Sequence, residues 1–296
     1  MLKWLSWCGF LLVATGSVQL AKASSADTAQ PLVITYPKPM RDFSEDNWYP
    51  LLLLKLALNE SKVSYKLQPS DDGLVQSRAL RLLEEDQAIT LAWSMTSAQR
   101  EQNLQPIRIP IYKGLYGWRL LLVTKNSPLL QQPITTLAGL SKYILVQGHD
   151  WPDNILLKAN GLRLETATHI ELLFSMLQKG RADAFPRSVL EIWPEIDQHP
   201  DQFAVVPNIV LKYPTAVYFF VNRKNVALAH AIEHGLNSII KNGKFDQLFY
   251  QHHRDAIARS GLSQRAVLRL HNDELPVNTP IKRKELWFDV SQPLLY

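Results

Sequence analysis

The sequence predicts an α/β protein of two lobes, each a mostly parallel sheet flanked by helices. Three observations lead there. Short apolar strand runs alternate with helix-periodic segments along most of the chain, the spacing that puts helices on both faces of a parallel sheet. Once the first 23 residues are set aside, roughly 270 remain, more than a single core holds comfortably. The composition, 46% hydrophobic with only 12 glycines, is that of a soluble globular chain.

Residues 1–23 read as a targeting segment. Lys3 supplies a basic start, Trp4 to Val18 is apolar, and Ala21-Lys22-Ala23 forms a small-residue cleavage site before Ser24. The apolar run is shorter than the roughly 20 residues of a spanning helix. The only cysteine, Cys8, lies within it, so the mature chain is expected to hold no disulfide and no thiol-based metal site. The formal charge of +5 falls to about +3 without Lys3 and Lys22. The remaining basic residues are interspersed with acids, which argues against a nucleic-acid partner.

Pro31 to Tyr36 (PLVITY) has the pattern of a buried strand, and Pro37 and Pro39 mark the loop after it. Trp48 to Leu58 reads as an apolar-faced helix, Val63 to Leu67 alternates like a strand, and Gln76 to Glu85 places Leu80, Leu82 and Leu83 inward on a helix. A strand at Ala88 to Ala92 then breaks into the polar turn Ser94-Met95-Thr96-Ser97, with Arg100 just beyond. A Pro-bounded segment and a loop with Gly114 and Gly117 lead to the strand Leu120 to Val123. Tyr143 to Val146 is a strand ending in Gln147-Gly148. Trp151 to Asn160 and Ile170 to Lys179 are helices stopped by Gly161 and Gly180. Ala216 to Val221 is a strand, and Val226 to Asn242 a helix closed by Gly243.

The stretch S-M-T-S-A-Q-R followed by I-R-I-P-I-Y-K-G-L-Y-G-W-R-L-L-L-V resembles the periplasmic solute-binding proteins of the polar amino-acid type (family 3). There a T-x-T-x-E-R turn leads into D-F-S-x-P-Y-x-x-G-x-x-L-L-V. Gly180-Arg181-Ala182-Asp183-Ala184-Phe185 is similar to that family's G-R-x-D-A-x, Pro133 to Leu140 to its short s-l-a-d-L-k-G helix, and VYFFVNRKNVALAHAIEHGLNSIIKNGKFDQLF to its C-terminal strand and helices. The resemblance covers residues 31 to 255 and implies the type II periplasmic-binding-protein fold of a divergent member. It implies one lobe from 31–121 plus 216–255 and a second from 122–215, with a two-segment hinge near Leu122 and Phe219. Residues 256–296 are a C-terminal extension in which Leu286-Trp287-Phe288 reads as a docking patch.

Ligands in such sheets sit beyond the carboxyl ends of strands. That rule selects Tyr36, Trp93 to Met95, Gln147 to Trp151 and Phe185 to Ser188, and the resemblance implies the same loops. Arg100 aligns with the family's carboxylate-binding arginine, whose planar fork matches a carboxylate. Trp93, with Ser94 and Met95, reads as a stacking wall or as core beneath the loop. Ser188 stands where the family places the Asp that binds the ligand's ammonium, with Arg187 before it. Arg187 then reads either as a second anion-binding cation or as the partner of Glu191, four residues on. His149, Asp150 and Trp151 open a helix, where Asp150 or Asp153 reads as a ligand contact or a cap. Arg78 begins another helix at a cleft loop.

The sequence shows no H-E-x-x-H, G-x-S-x-G or phosphate-loop pattern. The expected function is non-enzymatic capture of a small carboxylate-bearing solute, amino-acid-like or dicarboxylate, between two lobes. The expected protein is periplasmic and monomeric, with an inner-membrane ABC permease as protein partner and no cofactor or metal. A dehydratase-like exported enzyme on the same scaffold, or a sensory or interaction module with a degenerate cleft, are the alternatives.

Overall fold

Two runs, Leu120 to Val123 and Val217 to Val221, are buried throughout, and each becomes the central strand of a separate sheet. A computed structural model describes residues 30–39, 44–132 and 134–292. The targeting segment lies outside the described residues.

The first elements are β1 (Leu32–Lys38), α1 (Tyr49–Glu60), β2 (Tyr65–Gly73), α2 (Gln76–Glu84), β3 (Leu91–Met95), α3 (Ala98–Asn103) and β4 (Gln105–Ile107). Next come β5 (Trp118–Thr124), α4 (Leu137–Leu140), β6 (Ile144–Gly148), α5 (Asp153–Ala159), β7 (Arg163–Ala167), α6 (Ile170–Gln178), β8 (Phe185–Ser188) and α7 (Ile192–Gln198). The chain continues through β9 (Phe203–Val205), β10 (Ile209–Lys212), β11 (Val217–Val221), α8 (Val226–Lys241), α9 (Lys244–Ser260) and β12 (Ala266–Arg269).

β1 pairs parallel to β2, β6 parallel to β7, and β10 parallel to β12. These are the parallel ladders expected of strand–helix–strand units. The chain's returns add antiparallel ladders: β11 runs between β3 and β4, while β5 pairs with β8, β9 and β10. Alternation along both central strands explains their uniform burial. Leu120 and Leu122 enter one apolar cluster while Leu121 and Val123 enter another. Val217, Phe219 and Val221 likewise part from Tyr218 and Phe220. A strand covered on both faces has no polar side to show.

Leu122 and Phe219, expected at a hinge, lie inside ladders, opposite Phe185 and Val205 in one case and Trp93 and Ile107 in the other. The chain passes between sheets earlier, at residues 108–117 and 213–216. These two passes run side by side: Ile111 N–H donates to the Val217 carbonyl and Tyr213 N–H to the Gly117 carbonyl. At Gly117 a Cβ would lie 2.1 Å from the Tyr213 oxygen, so only glycine admits this approach. The extension is not a separate part, since β12 completes the sheet of β5.

Helix α8 packs on α1 as closely as backbones allow. Ser61 Oγ donates to the Ala231 carbonyl at 2.5 Å, and a Cβ on Gly235 would sit 1.9 Å from the Ala57 oxygen. Gly235→Ala must therefore push the helices apart. It should destabilise the protein by about 2 kcal/mol or more, read as a lower urea midpoint.

His253 on α9 is only 7% exposed, with its ring against Tyr49 (4.5 Å) and Phe249 (5.1 Å). Burial, and then the neighbouring His252, hold its pKa down at about 3 against an ordinary 6.5. The unfolded chain binds the proton first as pH falls. Stability is therefore full above about 6.5 and erodes downward toward 3, by about 2 kcal/mol at pH 5. Urea midpoints against pH should show this slope, and His253→Phe should remove its share of it.

Candidate functional site

Between the carboxyl ends of β3, β6 and β8 lie two adjoining cavities of about 200 and 260 Å³, which share Met95, Trp151, Pro152 and Asp153 as walls. The polar turn after β3 builds one side. Ser97 caps α3 by accepting the Arg100 N–H at 3.2 Å, and Thr96 donates to Glu101 at 2.7 Å. The cap turns Arg100 back under the strand end. Its guanidinium donates to Ser94 Oγ (2.5 Å), the Met95 carbonyl (2.8 Å), Gln76 Oε1 (2.9 Å) and the Asp150 carbonyl (3.4 Å). All four acceptors are uncharged, and among the described residues Arg100 forms no ion pair. Burial lowers its pKa to about 10, against the pull of Asp150 and Asp153. It remains a cation at neutral pH.

The other arginines are neutralised. Arg119 enters β5 fully inside the protein and bonds Asp153 (2.5 Å), Glu191 (3.1 Å) and the Tyr213 hydroxyl (2.9 Å). Arg187, on β8, grips Glu195 through Nε and Nη2 and reaches Glu191 at 3.0 Å. Its guanidinium also faces the rings of Phe185 (4.8 Å) and Trp151 (5.2 Å). Burial opposes both charges, but the carboxylates around them lift both arginines above their ordinary value. Two cations set against three carboxylates give the cluster a formal charge of −1, with burial raising the pKa of Asp153 against the pull of Arg119. Glu191, 22% exposed, is the member that faces the cavity most openly.

The remaining wall is aromatic. Trp93 stands edge-to-face to Trp48 (4.7 Å), with Tyr36 behind at 6.4 Å. Tyr112 and Tyr116, 4.6 Å apart, face it from the first pass between the sheets.

The expected residues Trp93, Ser94, Met95, Arg100, His149, Asp150, Trp151 and Arg187 all line the two cavities. Asp150 does not cap α5: its Oδ2 accepts the first-turn Ser77 N–H of α2 at 3.3 Å, across the cleft. Asp153, the other residue read as a cap, is committed to Arg119. Tyr36 is a supporting residue whose hydroxyl donates to Glu45 at 2.5 Å. Arg78 is exposed and lines neither cavity; Gln76 takes its place, because two residues are about half a turn of helix and so face opposite sides of α2. Ser188 is fully buried and lines neither cavity. Its hydroxyl donates to the Leu115 carbonyl and accepts the Leu190 N–H, so it holds the turn into α7. Sequence reasoning missed Arg119, Glu195, Tyr112 and Tyr116. A charged residue inside the run Trp118 to Val123 was the available signal for Arg119, since arginine is rarely buried unpaired.

No family model and no curated protein matches the sequence. Solved structures do match in fold. The chain has the two-lobe fold of the periplasmic amino-acid-binding proteins. One match is a probable amino-acid ABC transporter extracellular-binding protein from Bacillus subtilis (TM-score 0.58, 16% identity, 75% of this chain and 97% of that one). Another is an ancestral arginine-binding protein bound to arginine (0.56, 15%, 75% and 97%). A third is a glutamate-bound receptor ligand-binding core from Nostoc punctiforme (0.54, 15%, 75% and 98%). Among the described residues no helix is long and apolar enough to cross a membrane.

Removing one member of a buried charge pair strands the other. Asp153→Ala should cost about 3–5 kcal/mol in urea denaturation. The double variant Arg119→Met/Asp153→Leu should recover most of that loss.

Proposed function

We propose that this protein is a divergent periplasmic solute-binding protein that holds a small carboxylate-bearing solute in the cleft and performs no chemistry on it. Arg100 carries the reading: a half-buried guanidinium, unpaired by any carboxylate among the described residues, beside an aromatic cleft. A bound carboxylate would replace neutral acceptors with a charged one, which strengthens each hydrogen bond.

Charge accounting favours an amino-acid-like solute over a dicarboxylate. Arg119 and Arg187 are consumed by Asp153, Glu191 and Glu195, so among the described residues lining the cleft Arg100 is the arginine left for an anion. The net negative charge beside it, with Glu191 facing the cavity, suits a cationic group on the same solute. Trp93, Tyr112, Tyr116 and Trp151 provide surface for its side chain. The passes at 108–117 and 213–216 serve as the hinge, with 31–107 plus 217–260 in one lobe and 118–212 plus 266–269 in the other. In this reading the captured solute is handed to an inner-membrane ABC permease.

A thermal-shift screen of amino acids, dicarboxylates, polyamines and sugars tests the class. A ligand at a hundred times its Kd adds about 2.7 kcal/mol. The expected hits are zwitterions bearing an α-carboxylate. Arg100→Ala should weaken their binding at least a hundredfold, about 2.7 kcal/mol, by calorimetry, with Arg100→Lys between. Unchanged affinity in Arg100→Ala would sink the assignment.

A further inference from the structure

The C-terminal segment lends Asn272 and Glu274 to the second cleft cavity, and the rest of it is built into the molecule elsewhere. After β12 it returns to the passes between the sheets. Leu286 is fully buried, Phe288 N–H donates to the Lys113 carbonyl at 2.8 Å, and Trp287 lies over Gly114. The buried ammonium of Lys113 fixes the arrangement by bonding Asp246 and the Glu285 carbonyl, both at 2.7 Å. The docking patch read from Leu286-Trp287-Phe288 thus docks within the chain. In doing so it walls a further cavity of about 420 Å³, which shares only Thr215 with the cleft cavities.

We propose that this cavity is a second binding site, for an aromatic carboxylate. Its body is apolar and ring-shaped: Trp118 and Phe288 meet edge-to-face at 6.3 Å and 86°, with Trp287 and Tyr213 beside them. A flat ring fits such walls better than a flexible chain, because stacked and edge contacts reward planar faces.

Its rim is cationic. Lys212 and Arg269 are directly opposite each other in the β10–β12 ladder, so both side chains emerge on one face, and both line the cavity. Like charges in this register repel, and among the described residues neither forms an ion pair. The Lys212 ammonium sits 4.0 Å over the Trp118 ring. Its acidic neighbour, Asp289, already accepts the Ser291 N–H and hydroxyl at 2.9 and 2.7 Å. An anion between Lys212 and Arg269 would relieve the repulsion that the ladder imposes.

A third group points the same way. Thr215 is 1% exposed, lines the cavity, and its hydroxyl has no hydrogen-bond partner among the described residues. Buried hydroxyls are nearly always bonded, and a carboxylate oxygen would supply the acceptor. This site does not rest on the cleft reading, since none of its charged residues touches the cleft cavities.

The test is calorimetric titration of the full chain with 2-naphthoate. The wild-type protein should bind one equivalent with a Kd below about 1 mM. Lys212→Gln/Arg269→Gln should weaken binding by roughly tenfold or more. Arg269 is exposed on the edge strand β12 and Lys212 is half-buried beside it on β10; circular dichroism confirms folding. The uncharged ring analogue 2-naphthalenemethanol should bind the wild type at least roughly tenfold more weakly. Arg100→Ala, or Arg100→Lys should the former not fold, should leave naphthoate binding unchanged. Absent binding at 1 mM, an unaffected double variant, or an uncharged analogue that binds equally would each overturn the proposal. Binding lost with Arg100 but retained in the double variant would place naphthoate in the cleft and also overturn it.

Discussion

The rest of the molecule depends on one buried charge network, in which Arg119 and Arg187 are held by Asp153, Glu191 and Glu195. Charges taken out of water are tolerated only when paired and hydrogen-bonded, and here the partners come from β5, α5, β8 and α7. The network therefore fixes how those elements meet. It also fixes the cleft's electrostatics, because it uses up two of the three arginines that face it. Arg100 is left, of those three, as the one without a carboxylate among the described residues, beside a cluster of formal charge −1.

The sheets constrain the cleft from behind. Two passes of chain run side by side between them, close enough that position 117 admits only glycine. Tyr112 and Tyr116 ride on the first pass and Tyr213 on the second, so the aromatic wall and the support of Arg119 both originate there. The C-terminal segment then seats Leu286 to Phe288 on the outer side of the same passes. Any motion of one sheet relative to the other must be absorbed within residues that already carry contacts on two sides.

Much of the site was legible because its chemistry is local. Ser97 and Arg100 lie three residues apart, and a cap at that spacing turns the arginine toward the strand end whatever surrounds it. Met95, Trp93 and the 149–151 loop follow from the rule that ligands gather beyond strand ends. Ser188 obeyed the same rule in sequence but not in space, because its hydroxyl is drawn into the turn before α7. Arg187 was legible as either an anion site or a partner of Glu191. Glu195, one further helical turn along, was not foreseen because a bidentate grip depends on where α7 packs. Arg78 differs from Gln76 by only two positions, yet only packing decides which face of α2 meets the cleft.

The sequence by itself determined the longer helices and the most apolar strands and their order, since periodicity and glycine stops are local consequences of backbone geometry. It also singled out Arg100, through the hydroxyl-rich turn at the strand end. Tertiary structure alone decided which strands pair antiparallel and where the chain passes between sheets. It decided too which arginines are spent on carboxylates and that the C-terminal segment walls a second cavity. Those outcomes depend on contacts between residues far apart in the chain, and no local pattern encodes a partner that folding alone brings near.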